Sequence, residues 1–304
     1  MTPSTPSPGV GASTAVLDHV AVAVERWTDA WPRYVHQLGG TWHSGGVNIG
    51  FSPAQLRYDN GAKVEVLQPW EPEANPFLRR FLDHSGPGPH HLTFKVRDID
   101  TMLGLVREAG FDPVGVRLED PQWREAFLHP RQATGVVVQL AQEAFEWISP
   151  EPEGFPTTGL APAASLRHVT HAVRDLDAAL ELFHVLLRGR ITEPALGPDG
   201  GWEYVDVAWA GPLALRLVSP TSAAGATSTL RAWLGDRPGR VRHLAFELPR
   251  RPGADRSAAV ATADGSGAAE PGVLTGGGSV QVVAPDDNLG TGLVLRSPGT
   301  DAPT

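Results

Sequence analysis

Four residues of metal-ligating type stand at matched places in this 304-residue chain: His19, Glu65, His91 and Gln139. Two neutral imidazoles, a carboxylate and an amide oxygen suit one divalent ion such as Zn²⁺, Co²⁺, Ni²⁺, Mn²⁺ or Fe²⁺. Any one of them alone reads as a core polar residue bonded to its neighbours. The matching argues for a site, because His19 precedes Glu65 by nearly the separation at which His91 precedes Gln139. The chain contains no cysteine, which excludes thiolate ligands, thiolate nucleophiles and disulfides together.

Strands must carry these residues. "LDHVAVAV" at 17–24, "VEVLQP" at 64–69, "HHLTFKV" at 90–96 and "TGVVVQL" at 134–140 are the runs that hold them. Strand side chains alternate between faces. With His91 inward, Thr93 and Lys95 share its face, and His90 is expected on the other. His19 then shares its face with Ala21 and Ala23, small residues that leave room for a ligand. The first run is expected to lead into a helix at 27–38 and then into three strands, "VNIGFSP", "AQLRYD" and "KVEVLQ". "HHLTFKV" leads into a helix capped by Asp98 and ended by Gly110. Strands in "DPVGVRL", "REAFLH" and "GVVVQLA" follow. Each unit is β-α-β-β-β.

The same landmarks return in order in the second half: "LRHVTHAV" at 166–173, "LRLVSP" at 215–220, "RHLAFEL" at 242–248 and "TGLVLRS" at 291–297. The chain is therefore expected to hold four modules in an α+β fold, two to a domain, with a curved mixed sheet around a pocket in each. Residues 1–15 read as a disordered lead, 16–142 as a metal-binding domain and 143–164 as a Pro/Gly-rich linker. Residues 165–298 read as a degenerate second domain with a loop at 250–272, and 299–304 as a tail. The second domain aligns His168, Arg216, His243 and Arg296 with the ligand set. Arginines repel a dication, so metal is expected in the first domain only. The second is either kept for packing or binds a carboxylate or phosphate.

The carrying motifs "LDHVAVAV", "VEVLQP", "GPHHLTFKVRDID" and "FLHPRQATGVVVQL" resemble the vicinal oxygen chelate superfamily, which includes glyoxalase I, bleomycin-resistance proteins, extradiol dioxygenases and methylmalonyl-CoA epimerase. Residues 17–142 look most like the epimerase branch. The resemblance implies that His91, the second of the pair, is the ligand. It also implies a ligand order of His, Gln, His, Glu, against His19, Glu65, His91, Gln139 here, so carboxylate and amide have exchanged places. An ungapped alignment puts Asn48 where the epimerases carry an acid/base glutamate. With Asn48 and Gln139 both amides, Glu65 is the inward carboxylate left to move a proton.

These readings imply a metal-dependent isomerase, epimerase or lyase acting on a carbonyl compound or acyl thioester, with Asn48 and Lys95 in the pocket. An Fe²⁺ dioxygenase and a non-catalytic drug- or metabolite-binding protein are the rivals. The net charge of −9 and the lack of a basic block argue against nucleic acid. No apolar run reaches the roughly 18 residues that span a bilayer, and the N-terminus lacks a signal-peptide pattern. A cytoplasmic protein with a small-molecule substrate is expected, either a monomer whose tandem domains replace a dimer or a homodimer.

Overall fold

Apolar alternation turns the sequence repeat into two mixed eight-stranded sheets. The computed structural model describes residues 15–157, 161–250 and 279–297. The expected lead (apart from Ala15), the expected loop (apart from Arg250) and the tail lie outside the described residues. The first sheet is built from β1 (Ala15–Ala23), β2 (Thr41–Gly45), β3 (Gly50–Arg57), β4 (Lys63–Trp70), β5 (Gly88–Val96), β6 (Val114–Arg117), β7 (Trp123–Leu128) and β8 (Val137–Glu143). Its order is β2-β3-β4-β1-β5-β8-β7-β6. β1 and β5 run antiparallel at the centre, and each is parallel to the last strand of its own module. Helix α1 (Trp27–Trp31) continues into a π-helical turn, α2 (Phe77–Ser85) joins the modules, and α3 (Ile99–Glu108) follows β5. Asp98 caps α3 by accepting the Thr101 N–H, and Gly110 follows with φ +87°.

The second sheet uses β9 (Ser165–Val173), β10 (Arg190–Ile191), β11 (Ala195–Leu196), β12 (Trp202–Ala208), β13 (Ala214–Pro220), β14 (Gly239–Glu247), β15 (Val280–Val283) and β16 (Gly292–Arg296). Helices α4 (Leu176–Leu180) and α5 (Thr229–Leu234) accompany it. β9 and β14 take the central places of β1 and β5.

One face of each sheet packs into a continuous apolar core. Leu17, Val20, Leu92, Phe94 and Leu140 meet Met102 and Val106 of α3 there, and the cluster runs on into Leu166, Phe183 and Phe246. The domains meet through rings: Phe94 lies 5.0 Å from Trp209, and Tyr58 lies 4.9 Å from Phe246. The opposite, inner face carries the polar residues of interest.

One expectation changes. "VNIGFSP" and "AQLRYD" are one strand, β3, and the module's second strand is β2, further upstream. Pro53 is accommodated inside β3. Its carbonyl points toward β2 and accepts from Gly46, so its missing N–H faces the same side, beyond the last β2 pair, Gly45 with Ala54. The segment after β8 is docked. Ser149 exchanges hydrogen bonds with His43 and Gly45 along β2, and Phe155 packs on Trp31 and Trp42.

Candidate metal centre

Register places the site. Ala21 of β1 pairs with Glu65 of β4 on one side and with His91 of β5 on the other. Glu65, Ala21 and His91 thus stand abreast, and Ala21 leaves the middle open. His19 joins them from the same face of β1. The ligating atoms of His19, Glu65 and His91 all lie within 4.8 Å of one another. Glu65 Oε2 is 3.5 Å from His19 Nε2 and 3.6 Å from His91 Nε2. Both Nε2 atoms are buried without a hydrogen-bond partner among the described residues.

Two β-bulges set the orientation. The β1–β5 register slips between Leu17 and His19, which makes Asp18 an extra residue on the inner side. Its carboxylate accepts the His19 Nδ1–H at 2.7 Å and also pairs with Lys63 at 2.9 Å. A carboxylate behind an imidazole fixes the tautomer that turns Nε2 outward as a ligand. The second slip falls between Ala21 and Val22 and makes His90 the extra residue. His90 therefore lies beside His91 and not on the opposite face, which corrects the parity expectation. Its Nδ1 is 2.8 Å from His91 Nδ1, and its ring packs on Phe77 and Phe81 of α2.

Electrostatics divide the group. Burial would raise the Glu65 carboxyl, but His19, His91 and the Gln55 amide hold it down at about 2. Burial would lower His19, but Glu65 and Asp18 raise it above its ordinary value. Burial and the neighbouring His90 push His91 well below its ordinary value. His90, also desolvated, falls to about 4.

Gln139 reaches the same face from β8. Its Oε1 accepts the Thr93 hydroxyl at 2.6 Å, and its Nε2 donates to Glu125 Oε2 at 2.7 Å. The amide is thereby fixed with its oxygen toward the His91 side. Lys95 lies on this face as expected, 2.7 Å from Glu143 and with Nζ 3.8 Å from the centre of the Trp123 ring. Asn48 does not join the group. It is exposed in the turn before β3, accepting the Ile49 N–H, and the β3 residue opposite Glu65 is Gln55.

Glu125 of β7 was not singled out in the sequence. It is 7% exposed and accepts from Trp123 Nε1 at 2.9 Å as well as from Gln139. The signal available was parity: Glu125 shares a face with Trp123 and Phe127, and Phe127 pairs with Gln139 on the neighbouring strand. Beyond Ala21 and Ala23 the inner face turns apolar, with Leu67, Leu78, Leu82 and Phe51.

The second sheet keeps the histidines and inverts the charge. His168 and His243 occupy the places of His19 and His91, and Arg216 that of Glu65. Arg216 is held by Asp206 of β12, with two bonds of 2.7 Å. The fourth place is corrected. Thr93 pairs with Gln139 while Ala245 pairs with Val294, so Val294 matches Gln139, and Arg296 lies two residues further along.

A glyoxalase/bleomycin resistance protein/dioxygenase superfamily model matches residues 18–127. Methylmalonyl-CoA epimerase from Mycobacterium tuberculosis is 30% identical over 43% of this chain and 89% of its own, with a TM-score of 0.39. This chain belongs to that superfamily. A hypothetical protein from Bacillus halodurans C-125 is 27% identical over 44% of this chain and 99% of its own, with a TM-score of 0.40. A mutant of 4-hydroxymandelate synthase from Streptomyces coelicolor is 16% identical over 78% of this chain and 72% of its own, with a TM-score of 0.58. That likeness is one of fold across both domains. No protein of curated function matches. The superfamily implies a divalent metal, and the donor set fits one: two buried imidazole nitrogens, without hydrogen-bond partners among the described residues, converge on an anionic oxygen. No described helix is long and apolar enough to cross a membrane.

Proposed function

We propose that the first domain is a metal-dependent active site acting on a carbonyl compound or acyl thioester, in the isomerase, epimerase or lyase class. The observation that carries this reading is the convergence of His19 Nε2 and His91 Nε2, both buried and without a hydrogen-bond partner among the described residues, on Glu65 Oε2. His19, His91 and Glu65 would hold the ion, with the Gln139 oxygen completing the set. A bound divalent ion supplies Lewis-acid polarisation of a substrate oxygen.

The remaining work falls to side chains. Asp18 and the His90 ring orient the two imidazoles. Glu65, held near 2, is an anionic anchor and a poor base, since a useful base titrates near the working pH. Glu125 is the carboxylate we assign to proton transfer, because it faces inward beside Gln139 and needs no ligand bond broken. Lys95 can pair with an anionic group of the substrate. The apolar wall from Phe51 to α2 suits an acyl or hydrocarbon portion.

One observation favours a second reading, Fe²⁺-dependent oxygenation. Two histidines and one carboxylate make up the facial set of such sites. One experiment separates the two. The protein loaded with Co²⁺, Mn²⁺ or Fe²⁺ is given a panel of 2-keto acids and acyl-CoA thioesters, methylmalonyl-CoA included. Deuterium uptake from D₂O at the carbon beside the carbonyl is followed without oxygen, and oxygen consumption is followed with it. Metal-dependent exchange that falls by about 10²-fold or more in Glu125→Gln supports the proposal. Oxygen consumption without exchange supports the second reading. Neither, with unaltered substrate recovered throughout, contradicts both.

A further inference from the structure

Thr170 of β9 is the register partner of Arg216 on one side and of His243 on the other. The three stand abreast on strands about 4.8 Å apart, with His168 on the same face of β9. The corresponding row in the first sheet is Glu65, Ala21 and His91. Where Ala21 leaves a gap for a cation, Thr170 places a hydroxyl. Thr170 Oγ1, His168 Nε2 and His243 Nε2 are buried with no hydrogen-bond partner among the described residues. Thr170 is 0% and His243 2% exposed. Leaving such atoms unsatisfied costs folding free energy, so three of them on adjacent strands mark a place for a group that bonds to all three.

What this row offers is donors. Burial and the flanking arginines push both imidazoles well below their ordinary pKa, so they are neutral and each can present an N–H. Arg216, Arg242 and Arg296 lie close enough to act on His243. The nearby carboxylates are engaged, Asp206 on Arg216 and Glu247 on Arg167 at 2.7 Å. Partial neutralisation suits one negative charge better than two. Beside the row the face turns aromatic: the Arg216 guanidinium lies 5.0 Å from the Tyr204 ring and the Arg242 guanidinium 4.7 Å from the Trp233 ring.

We infer that this row binds the carboxylate of a small organic acid whose apolar body lies against Tyr204 and Trp233. The site is separate from the metal centre and does not depend on it.

Calorimetric titration of the full chain tests this. The probes are phenylacetate, its uncharged relative phenylacetamide, and inorganic phosphate. EDTA is present throughout, so that a metal in the first domain cannot capture the carboxylate. Phenylacetate should saturate with a Kd of about 1 mM or tighter, and the other two should bind at least about tenfold more weakly. Thr170→Val, nearly isosteric, should weaken phenylacetate by about tenfold. The paired change Arg216→Met with Asp206→Asn leaves neither of the two charges without its partner and should abolish binding. The His168 and His243 ring signals in NMR should move during the titration. Equal binding of phenylacetamide, phosphate binding more tightly than phenylacetate, or unchanged binding in both variants would overturn the proposal. So would the absence of saturable phenylacetate binding.

Discussion

Arg216 stands in the second sheet where Glu65 stands in the first, and each faces a partner across one strand pair: Asp206 for Arg216, Gln55 for Glu65. The partner changes with the charge it faces: a neutral amide for the carboxylate, a carboxylate for the guanidinium. Asp206→Asn should leave the buried Arg216 without its carboxylate and destabilise the protein by about 3 kcal/mol, the lower end for a buried pair because Asp206 is partly exposed. Urea denaturation measures it. A loss under about 0.5 kcal/mol would show that the pair contributes little.

Asp18 is expected to act through His19. Asp18→Asn removes the carboxylate that holds Nδ1–H and should lower metal affinity about 10–100-fold. Competition against a chelator reads this directly, with circular dichroism confirming the fold. Unchanged affinity would mean that His19 is oriented by something else.

Gly135 has φ +91°, and a Cβ there would collide with the backbone of Gly239 in the other domain. Gly135→Ala should therefore destabilise the protein by at least the roughly 1–3 kcal/mol of backbone strain. The denaturation midpoint measures it. A wild-type midpoint would argue against this close approach of the domains.

His171 supplies a pH test away from the metal group. It is 0% exposed, and its Nε2–H donates to the Thr134 carbonyl at 2.9 Å. Burial depresses its pKa from 6.5 to about 4. The unfolded chain therefore takes up a proton near pH 6.5 that the folded chain refuses until about 4. Stability is full above that window and falls as pH drops through it, by up to about 3 kcal/mol. His171→Gln keeps a donor without the titration. Melting curves should show a shallower acid loss in the variant across this window; parallel losses would contradict the assignment.

Repetition made much of this architecture legible. Matched runs around His19, Glu65, His91 and Gln139 implied modules with equivalent strands, and capping chemistry located Asp98 and Gly110 at the ends of α3. What escaped was whatever breaks strict alternation. The bulges at Asp18 and His90 add a residue each, and a parity rule has no term for them, so His90 was expected on the wrong face and Asp18 was overlooked. The split of β3 into two strands ended at Pro53, whose harmless position beside the end of β2 depends on pairing length. Arg296 was matched to Gln139 by sequence spacing, whereas register gives that place to Val294. Asn48 was placed by an alignment without gaps, and the turn before β3 carries it out to solvent. Glu125 was missed because its significance lies in its bond to Gln139, a contact between strands.

Metal content of the purified chain, with two variants beside it, decides whether the first domain is a metal centre. Elemental analysis should find about one divalent ion per chain, since a converging His–Glu–His set binds with its own folding energy. His91→Ala should lose the ion, and His243→Ala, in the arginine-lined second sheet, should keep it. Equal retention in both variants, equal loss in both, or no ion in the wild-type chain after reconstitution with Zn²⁺, Co²⁺, Ni²⁺, Mn²⁺ or Fe²⁺ would contradict the account.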